Sequence, residues 1–99
     1  MELNEIIERI SKLRTKKGLS ARELSLRIGK NASYINRLEY RKNFEPAISV
    51  ISDIVEACDS TMAEFFYYDM DEYKKDLEII KLIKHLPSCK KDALLELLL

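Results

Sequence analysis

The residues of this 99-residue chain that could do acid–base or metal chemistry do not occur at spacings that support it. The carboxylates of the central segment are Asp53, Glu56, Asp59 and Glu64. None has a histidine, cysteine or nucleophile at a matching distance in the sequence, as a catalytic or metal site would require. We therefore predict that the protein is not an enzyme and has no catalytic residues.

Other possible metal-binding patterns also fail. Asp69, Asp71 and Glu72 resemble the start of a calcium loop, but the required glycine and terminal glutamate are absent. Cys58 and Cys89 have no CxxC spacing, and no second histidine lies near the single His85. The sequence therefore predicts reduced thiols, no metal and no cofactor.

Charge is divided unevenly along a chain whose formal net charge is zero. Residues 1–45 carry 11 basic and 6 acidic side chains, whereas residues 46–99 carry 6 basic and 11 acidic side chains. This polarity suits one-sided docking on a polyanion. The amino terminus lacks a signal-peptide pattern, and no apolar run approaches the roughly 20 residues that span a bilayer, so a cytoplasmic protein without membrane contact is expected.

The elements that must position any site are predicted to be helices. Apolar residues from Leu3 to Leu13 follow helical spacing, which predicts a helix over about 2–17, closed by Gly18. Ser20 and Glu23 form a capping-box pattern that opens a second helix, with Leu24 and Ile28 facing inward. Gly29 ends that helix. Asn31 is predicted to cap a third helix running to about Tyr40, with Ile35 and Leu38 in the core.

Two further helices complete a predicted five-helix domain. Pro46 favours the first turn of the fourth, and its predicted buried stripe is Ile48, Ile51, Ile54 and Val55. Thr61 and Glu64 form a second capping-box pattern, which opens a short helix ending in Phe65 and Phe66. We place this domain at 1–68.

The remaining residues, 69–99, are predicted to form a helical extension. One amphipathic helix carries Tyr73, Leu77, Ile80 and Ile83 and is broken at Pro87. Ser88 is then expected to cap a last, leucine-rich helix. The fold class is therefore all-α, five helices plus two C-terminal helices.

In the order and spacing of these elements, the chain resembles the helix-turn-helix family of phage repressors and Cro proteins. This resemblance implies a lambda-repressor-like domain of the XRE/Cro type. The matching elements are Leu13-Arg14, Gly18-Leu19-Ser20, Glu23-Leu24, Ile28-Gly29, Ser33-Tyr34-Ile35, Arg37-Leu38-Glu39, Pro46, Ile48 and Glu64-Phe65-Phe66. The resemblance covers about two-thirds of the chain. It implies that the third helix enters the major groove of duplex DNA, usually in a dimer on two half-sites.

Carried over residue by residue, the resemblance assigns two sets of contacts. The expected base-contacting residues are Asn31, Ala32, Ser33, Asn36 and Arg37. The expected phosphate-contacting residues are Ser20, Arg22, Lys30, Tyr34, Tyr40, Arg41, Lys42 and Asn43. Arg37 has the chemistry to bind guanine and Asn36 to bind adenine, whereas Ser33 specifies no base strongly and Ala32 offers only a methyl group.

The chain departs from the family at two positions. Ala21 stands where a phosphate-binding glutamine is common, and Arg41 where a glycine is frequent, so the path of the loop after the third helix stays open. The resemblance also implies a structural salt bridge between Arg14 and Glu39. For Tyr34, ring packing and a hydroxyl contact to phosphate remain equal alternatives.

The last segment, from Ala93 to Leu99, places apolar residues around most of a helix. We expect the C-terminal helices to form a homodimer. The alternatives are that they fold back on the first and fifth helices of their own domain, or that the native chain continues past Leu99. The resulting hypothesis is a sequence-specific duplex DNA-binding transcriptional regulator, a repressor by family expectation. The alternative is an antitoxin-like protein-interaction module with the same fold and weak DNA affinity. The sequence does not identify a small-molecule effector.

Overall fold

The computed structural model describes residues 1–40 and 44–99. Within these ranges the chain forms seven α-helices and one short 3-10 helix, with no strand. The chain divides into two compact units, Met1–Phe66 and Tyr67–Leu99. No helix of the described part combines the length and hydropathy needed to cross a membrane.

The first unit contains five helices, and each begins and ends at recognisable local signals. They are α1 (Leu3–Lys17), α2 (Ala21–Arg27), α3 (Tyr34–Tyr40), α4 (Ile48–Ala57) and α5 (Met62–Phe65). Gly18 follows α1 with φ 79°, a left-handed conformation that glycine adopts without steric cost. Its amide donates to the Thr15 carbonyl and the next amide, of Leu19, donates to the Arg14 carbonyl, which closes the helix. Local chemistry therefore sets the end of α1 as predicted.

The core of this unit lies where α1, α2, α3 and α4 pack on one another, and α5 packs on α4. Its fully buried apolar side chains are Ile10, Leu24, Ile35, Leu38, Ile54, Val55 and Phe65. Arg9 adds a polar tie, because its guanidinium donates to the carbonyl of Phe65 at 2.6 Å and so joins α1 to the end of α5. Lys17 at the end of α1 forms an ion pair with Asp59, just after α4. These contacts tie the middle and the C-terminal end of α1 to the rest of the unit.

Three predicted features of the first unit are wrong in detail. The helix after Pro46 begins only at Ile48, with Ala47 as its N-cap, so Pro46 does not lie in the first turn. Ile48 is 64% exposed, and Val50 takes its predicted place in the core. With about 3.6 residues per turn, Ile48 falls at the edge of the stripe formed by the other buried residues of α4. Ile28, predicted to face inward from α2, is the C-cap that follows Arg27 and is only half-buried.

The second unit contains a 3-10 helix, Met70–Glu72, followed by α6 (Tyr73–Ile83) and α7 (Ser88–Leu98). The ring of Tyr67 packs edge-on against Tyr73 at 5.1 Å between centroids, and its hydroxyl donates to Asp76 at 2.8 Å. Ser88 does not cap α7 as predicted. It is the first helical residue, and the N-cap position belongs to Pro87, which offers no side-chain hydrogen bond.

Candidate nucleic-acid interface

Two short helices, α2 and α3, and the turn between them carry most of the predicted contact residues. The Ser20 hydroxyl accepts from the amide of Glu23 at 3.0 Å, and the Glu23 carboxylate accepts from the amide of Ser20 at 3.1 Å. This reciprocal capping box starts α2 where the sequence predicts it. Gly29 follows α2 with φ 75°, and the Lys30 amide closes the helix on the carbonyl of Ser25 at 2.9 Å. The chain then turns back toward α3.

The turn before α3 is organised by Asn31. Its Oδ1 accepts from the amide of Ser33 at 3.1 Å and from the Ser33 hydroxyl at 2.9 Å. The helix itself begins only at Tyr34, two residues later than an Asn31 cap would imply. The Asn31 side chain stabilises a turn and does not cap the helix, because both hydrogen bonds that it accepts come from Ser33, only two positions ahead. Asn31, Ala32 and Ser33 therefore lie in this turn and not on the helix.

This turn limits what Asn31 offers to a base. Paired recognition of adenine by asparagine needs both the oxygen and the nitrogen of the amide. The oxygen of Asn31 already holds Ser33. While the turn is intact, only the side-chain amide nitrogen of Asn31 can form a further hydrogen bond, as a donor to an acceptor on a base.

Helix α3 buries one face and exposes the other. Ile35 and Leu38 are fully buried, Asn36 is exposed, and Arg37 is half-buried. The Nε atom of Arg37 is buried and has no hydrogen-bond partner within the described residues. A guanine contact by Arg37 would therefore use its two terminal nitrogens, which can still form a bidentate fork.

Arg14 joins α1 to the last turn of α3. Its Nε donates to Oε1 of Glu39 at 2.9 Å and its Nη2 to Oε2 at 3.1 Å. Nη1 donates to the carbonyl of Leu19 at 3.0 Å, in the turn before α2. The hydrogen bond that Arg14 donates to the Glu39 carboxylate raises the pKa of Arg14 above its usual value, so the guanidinium stays charged. One side chain thus holds three parts of the first unit in place.

The predicted phosphate-contacting residues are distributed around these helices. Ser20 and Arg22 are exposed at the start of α2, and Tyr40 is exposed at the end of α3. The Lys30 ammonium lies over the ring of Tyr34, 5.4 Å from its centroid. Three further predicted phosphate-contacting residues lie outside the described part of the chain: Arg41, Lys42 and Asn43.

The ring of Tyr34 has defined neighbours. Phe44 packs edge-on against it, with 5.4 Å between centroids and 83° between planes. Burial raises the pKa of the Tyr34 hydroxyl, which therefore stays a neutral donor at physiological pH. The ring contacts do not engage the hydroxyl, so a phosphate contact by Tyr34 stays a prediction.

One buried polar residue was not predicted at all. Ser25 in α2 is fully buried, and its hydroxyl accepts from the amide of Ile35 in α3 at 2.9 Å. The available signal was its position, directly after the buried Leu24 and four residues before Gly29. A small polar residue on a buried face needs a hydrogen-bond partner.

No group of three or more His, Cys, Asp or Glu side chains in residues 1–40 and 44–99 could hold a metal ion. Both cysteines are free, Cys58 buried and Cys89 exposed. The side chains of the candidate interface are hydrogen-bonding and cationic groups on and around α2 and α3.

Comparison with known families agrees with this geometry. A family model described as helix-turn-helix matches residues 10–65, from within α1 to the end of α5. Comparisons with curated proteins and with solved structures give no significant match. The match covers more than half of the chain and includes both α2 and α3. The chain therefore belongs to the XRE/Cro-like helix-turn-helix family and is a DNA-binding transcriptional regulator of this type.

Proposed function

We propose that this regulator binds a specific duplex DNA sequence and represses transcription as a homodimer. The observation that carries the proposal is the two-sided character of α3. Ile35 and Leu38 anchor one face in the core, which leaves Asn36 exposed on the other. A helix held in this way can enter a major groove without losing its contacts to the protein.

Base recognition in this proposal rests mainly on two residues of α3. Asn36 pairs with N6 and N7 of adenine, and the terminal nitrogens of Arg37 pair with O6 and N7 of guanine. The turn residues Asn31, Ala32 and Ser33 add weaker contacts, since the oxygen of Asn31 already holds the turn. Two good bidentate contacts give roughly 1–3 kcal/mol of discrimination each.

With so few base contacts, most of the affinity must come from the DNA backbone. The proposed phosphate contacts are Ser20, Arg22, Lys30, Tyr34 and Tyr40, with Arg41, Lys42 and Asn43 assigned from the sequence alone. In the sequence they lie before α3, at its first and last residues, and directly after it. Phosphate contacts of this kind fix the position of a protein on the duplex but carry little sequence information.

The second unit is proposed to be the dimerisation element. No residue of α6 or α7 is buried in the single chain, and Leu97 and Leu99 are 82% and 97% exposed. Exposed apolar surface of this extent marks an interaction site. We assign a second copy of the chain as the occupant, because a two-fold dimer matches an operator with two half-sites about 34 Å apart. Repression would follow from occupation of a promoter by this dimer.

The same exposed leucines also favour a second candidate, in which the tail binds a different protein and the DNA affinity is weak. The zero net charge of the chain supports this alternative. It predicts weak binding to all duplexes and no dimer.

The deciding experiment is selection of bound sequences from a pool of random duplexes, with the full chain, at two salt concentrations. The proposal predicts an enriched palindrome and an affinity that falls steeply as salt rises. Weak binding without enrichment at either salt concentration would contradict it and favour the protein-interaction module.

A further inference from the structure

Ser25 of α2 is the only fully buried polar residue among the described residues, and its side chain lies between α2 and α3. Its Oγ donates to the carbonyl of Ala21 at 2.7 Å, one turn earlier in α2. The same oxygen accepts from the amide of Ile35 at 2.9 Å. Because a serine hydroxyl has a single proton and that proton is directed to Ala21, the oxygen lone pairs are free for Ile35.

The amide that Ser25 accepts from belongs to the first turn of α3. The first amides of a helix have no acceptor within the helix and must be capped from outside. The carbonyl of Asn31, four residues before Ile35, accepts from Tyr34 instead. Ser25 therefore caps α3 from a different helix, at a position that water does not reach.

We infer that Ser25 is a positioning residue for base recognition, an inference that rests on the proposed function. Its hydroxyl fixes the start of α3 against α2, the helix that carries the proposed phosphate contact Arg22. The base-contacting residues Asn36 and Arg37 are thereby held at one orientation relative to the DNA backbone. Loss of the hydroxyl would let α3 shift on α2, so contacts to base edges, which require close geometry, would weaken more than contacts to phosphates.

The first test uses DNA-free protein and amide hydrogen exchange. In Ser25→Ala, the Ile35 amide should exchange roughly tenfold faster than in the wild type, because a buried donor has lost its acceptor. Ser25→Thr keeps a hydroxyl at the same place and should retain protection of this amide even if its added methyl group lowers overall stability. If the Ala variant does not fold, Ser25→Cys replaces the oxygen by a weak acceptor and gives the same comparison. Unchanged exchange at Ile35 would contradict the inference.

The second test measures the ratio of affinities for the selected duplex and for a random duplex. Ser25→Ala should lower this ratio by about tenfold, with a much smaller change in affinity for random DNA. The matched control is Thr61→Ala, which removes another hydroxyl cap in the same unit, the acceptor for the amide of Glu64 at 3.2 Å. Thr61→Ala should lower stability but leave the ratio unchanged.

The outcomes separate this inference from the proposed function. A wild type that discriminates between duplexes and a Ser25→Ala variant that discriminates equally well would contradict only the positioning role. Equal loss of discrimination in Ser25→Ala and Thr61→Ala would also contradict it, since both would then act through stability. A wild type without any discrimination would contradict the proposed function, and the inference with it.

Discussion

The carboxylate of Glu39 in α3 accepts two hydrogen bonds from the guanidinium of Arg14 in α1, at 2.9 and 3.1 Å. The two side chains are only 19% and 8% exposed. Solvent therefore screens this pair weakly, and removal of one partner leaves the other charge partly buried. The pair connects the last turn of α3 to α1, the longest helix of its unit. Variants of the pair therefore measure how much this connection contributes to stability.

Glu39→Gln is expected to lower the free energy of unfolding by about 2 kcal/mol, because Arg14 then lacks its carboxylate. Urea denaturation measures this change. The double variant Arg14→Met with Glu39→Gln should be more stable than the sum of the single effects implies. Strict additivity would contradict a coupled pair. Glu5→Gln is the control, because Glu5 forms a more exposed pair with Arg9 and should cost less than about 0.5 kcal/mol.

The capping box of α2 should make the free energy of unfolding depend on pH in the acidic range. The backbone amide of Ser20, and then its hydroxyl, lower the pKa of Glu23 below its usual value of 4.5. A lowered pKa means that the folded state binds this proton more weakly than the unfolded state. The stabilisation is therefore complete above pH 4.5 and is lost as pH falls through the lowered pKa.

Glu23→Gln keeps the shape of the side chain but does not titrate. Urea denaturation at pH values from 7 down to 3 measures the free energy of unfolding of both proteins. The wild type should be more stable than this variant at neutral pH, and the difference should disappear only near pH 3. A constant difference between the two proteins over the whole range would contradict the assignment.

Asn36→Ala and Arg37→Ala are each expected to reduce binding to the selected duplex by roughly 1–3 kcal/mol, and binding to random DNA by much less. Fluorescence anisotropy with both duplexes measures the difference. Asn4→Ala is the matched control, because Asn4 is an exposed asparagine of α1. Equal losses on both duplexes would show that these residues do not contact base edges.

Arg22→Gln should weaken binding to all duplexes alike and lower the slope of log affinity against log salt by about 1, as expected for one lost phosphate contact. Arg27→Gln, at the other end of the same helix, is the control and should leave the slope unchanged. A preserved slope in Arg22→Gln would remove Arg22 from the phosphate-contacting set.

The double variant Leu95→Glu with Leu98→Glu should convert a dimer into a folded monomer of 11.6 kDa, because both leucines are exposed in the single chain. Light scattering of the full chain at several concentrations measures the mass. Leu26→Glu places the same charge at an exposed leucine of α2 and should leave the dimer intact. A wild type that is monomeric at high concentration would contradict dimerisation.

Local sequence signals predicted the C-terminal end of α1 and the start of α2, because each rests on chemistry within a few residues. Gly18 takes the left-handed conformation, and Ser20 with Glu23 forms the capping box. The start of α3 was less predictable. An asparagine caps a helix and a turn by the same type of hydrogen bond, and here Asn31 organises the turn.

The sequence by itself determined the helical content, the order of the helices and the family, since apolar spacing, caps and glycines are written along the chain. Only the tertiary structure decided that Ile48 faces solvent, that the Nε of Arg37 is buried, and that the hydroxyl of Ser25 reaches the amide of Ile35. The physical reason is that these facts depend on how one helix packs on another. Helical periodicity specifies which residues share a face, whereas the distance and rotation between two faces come from the packing of the whole core.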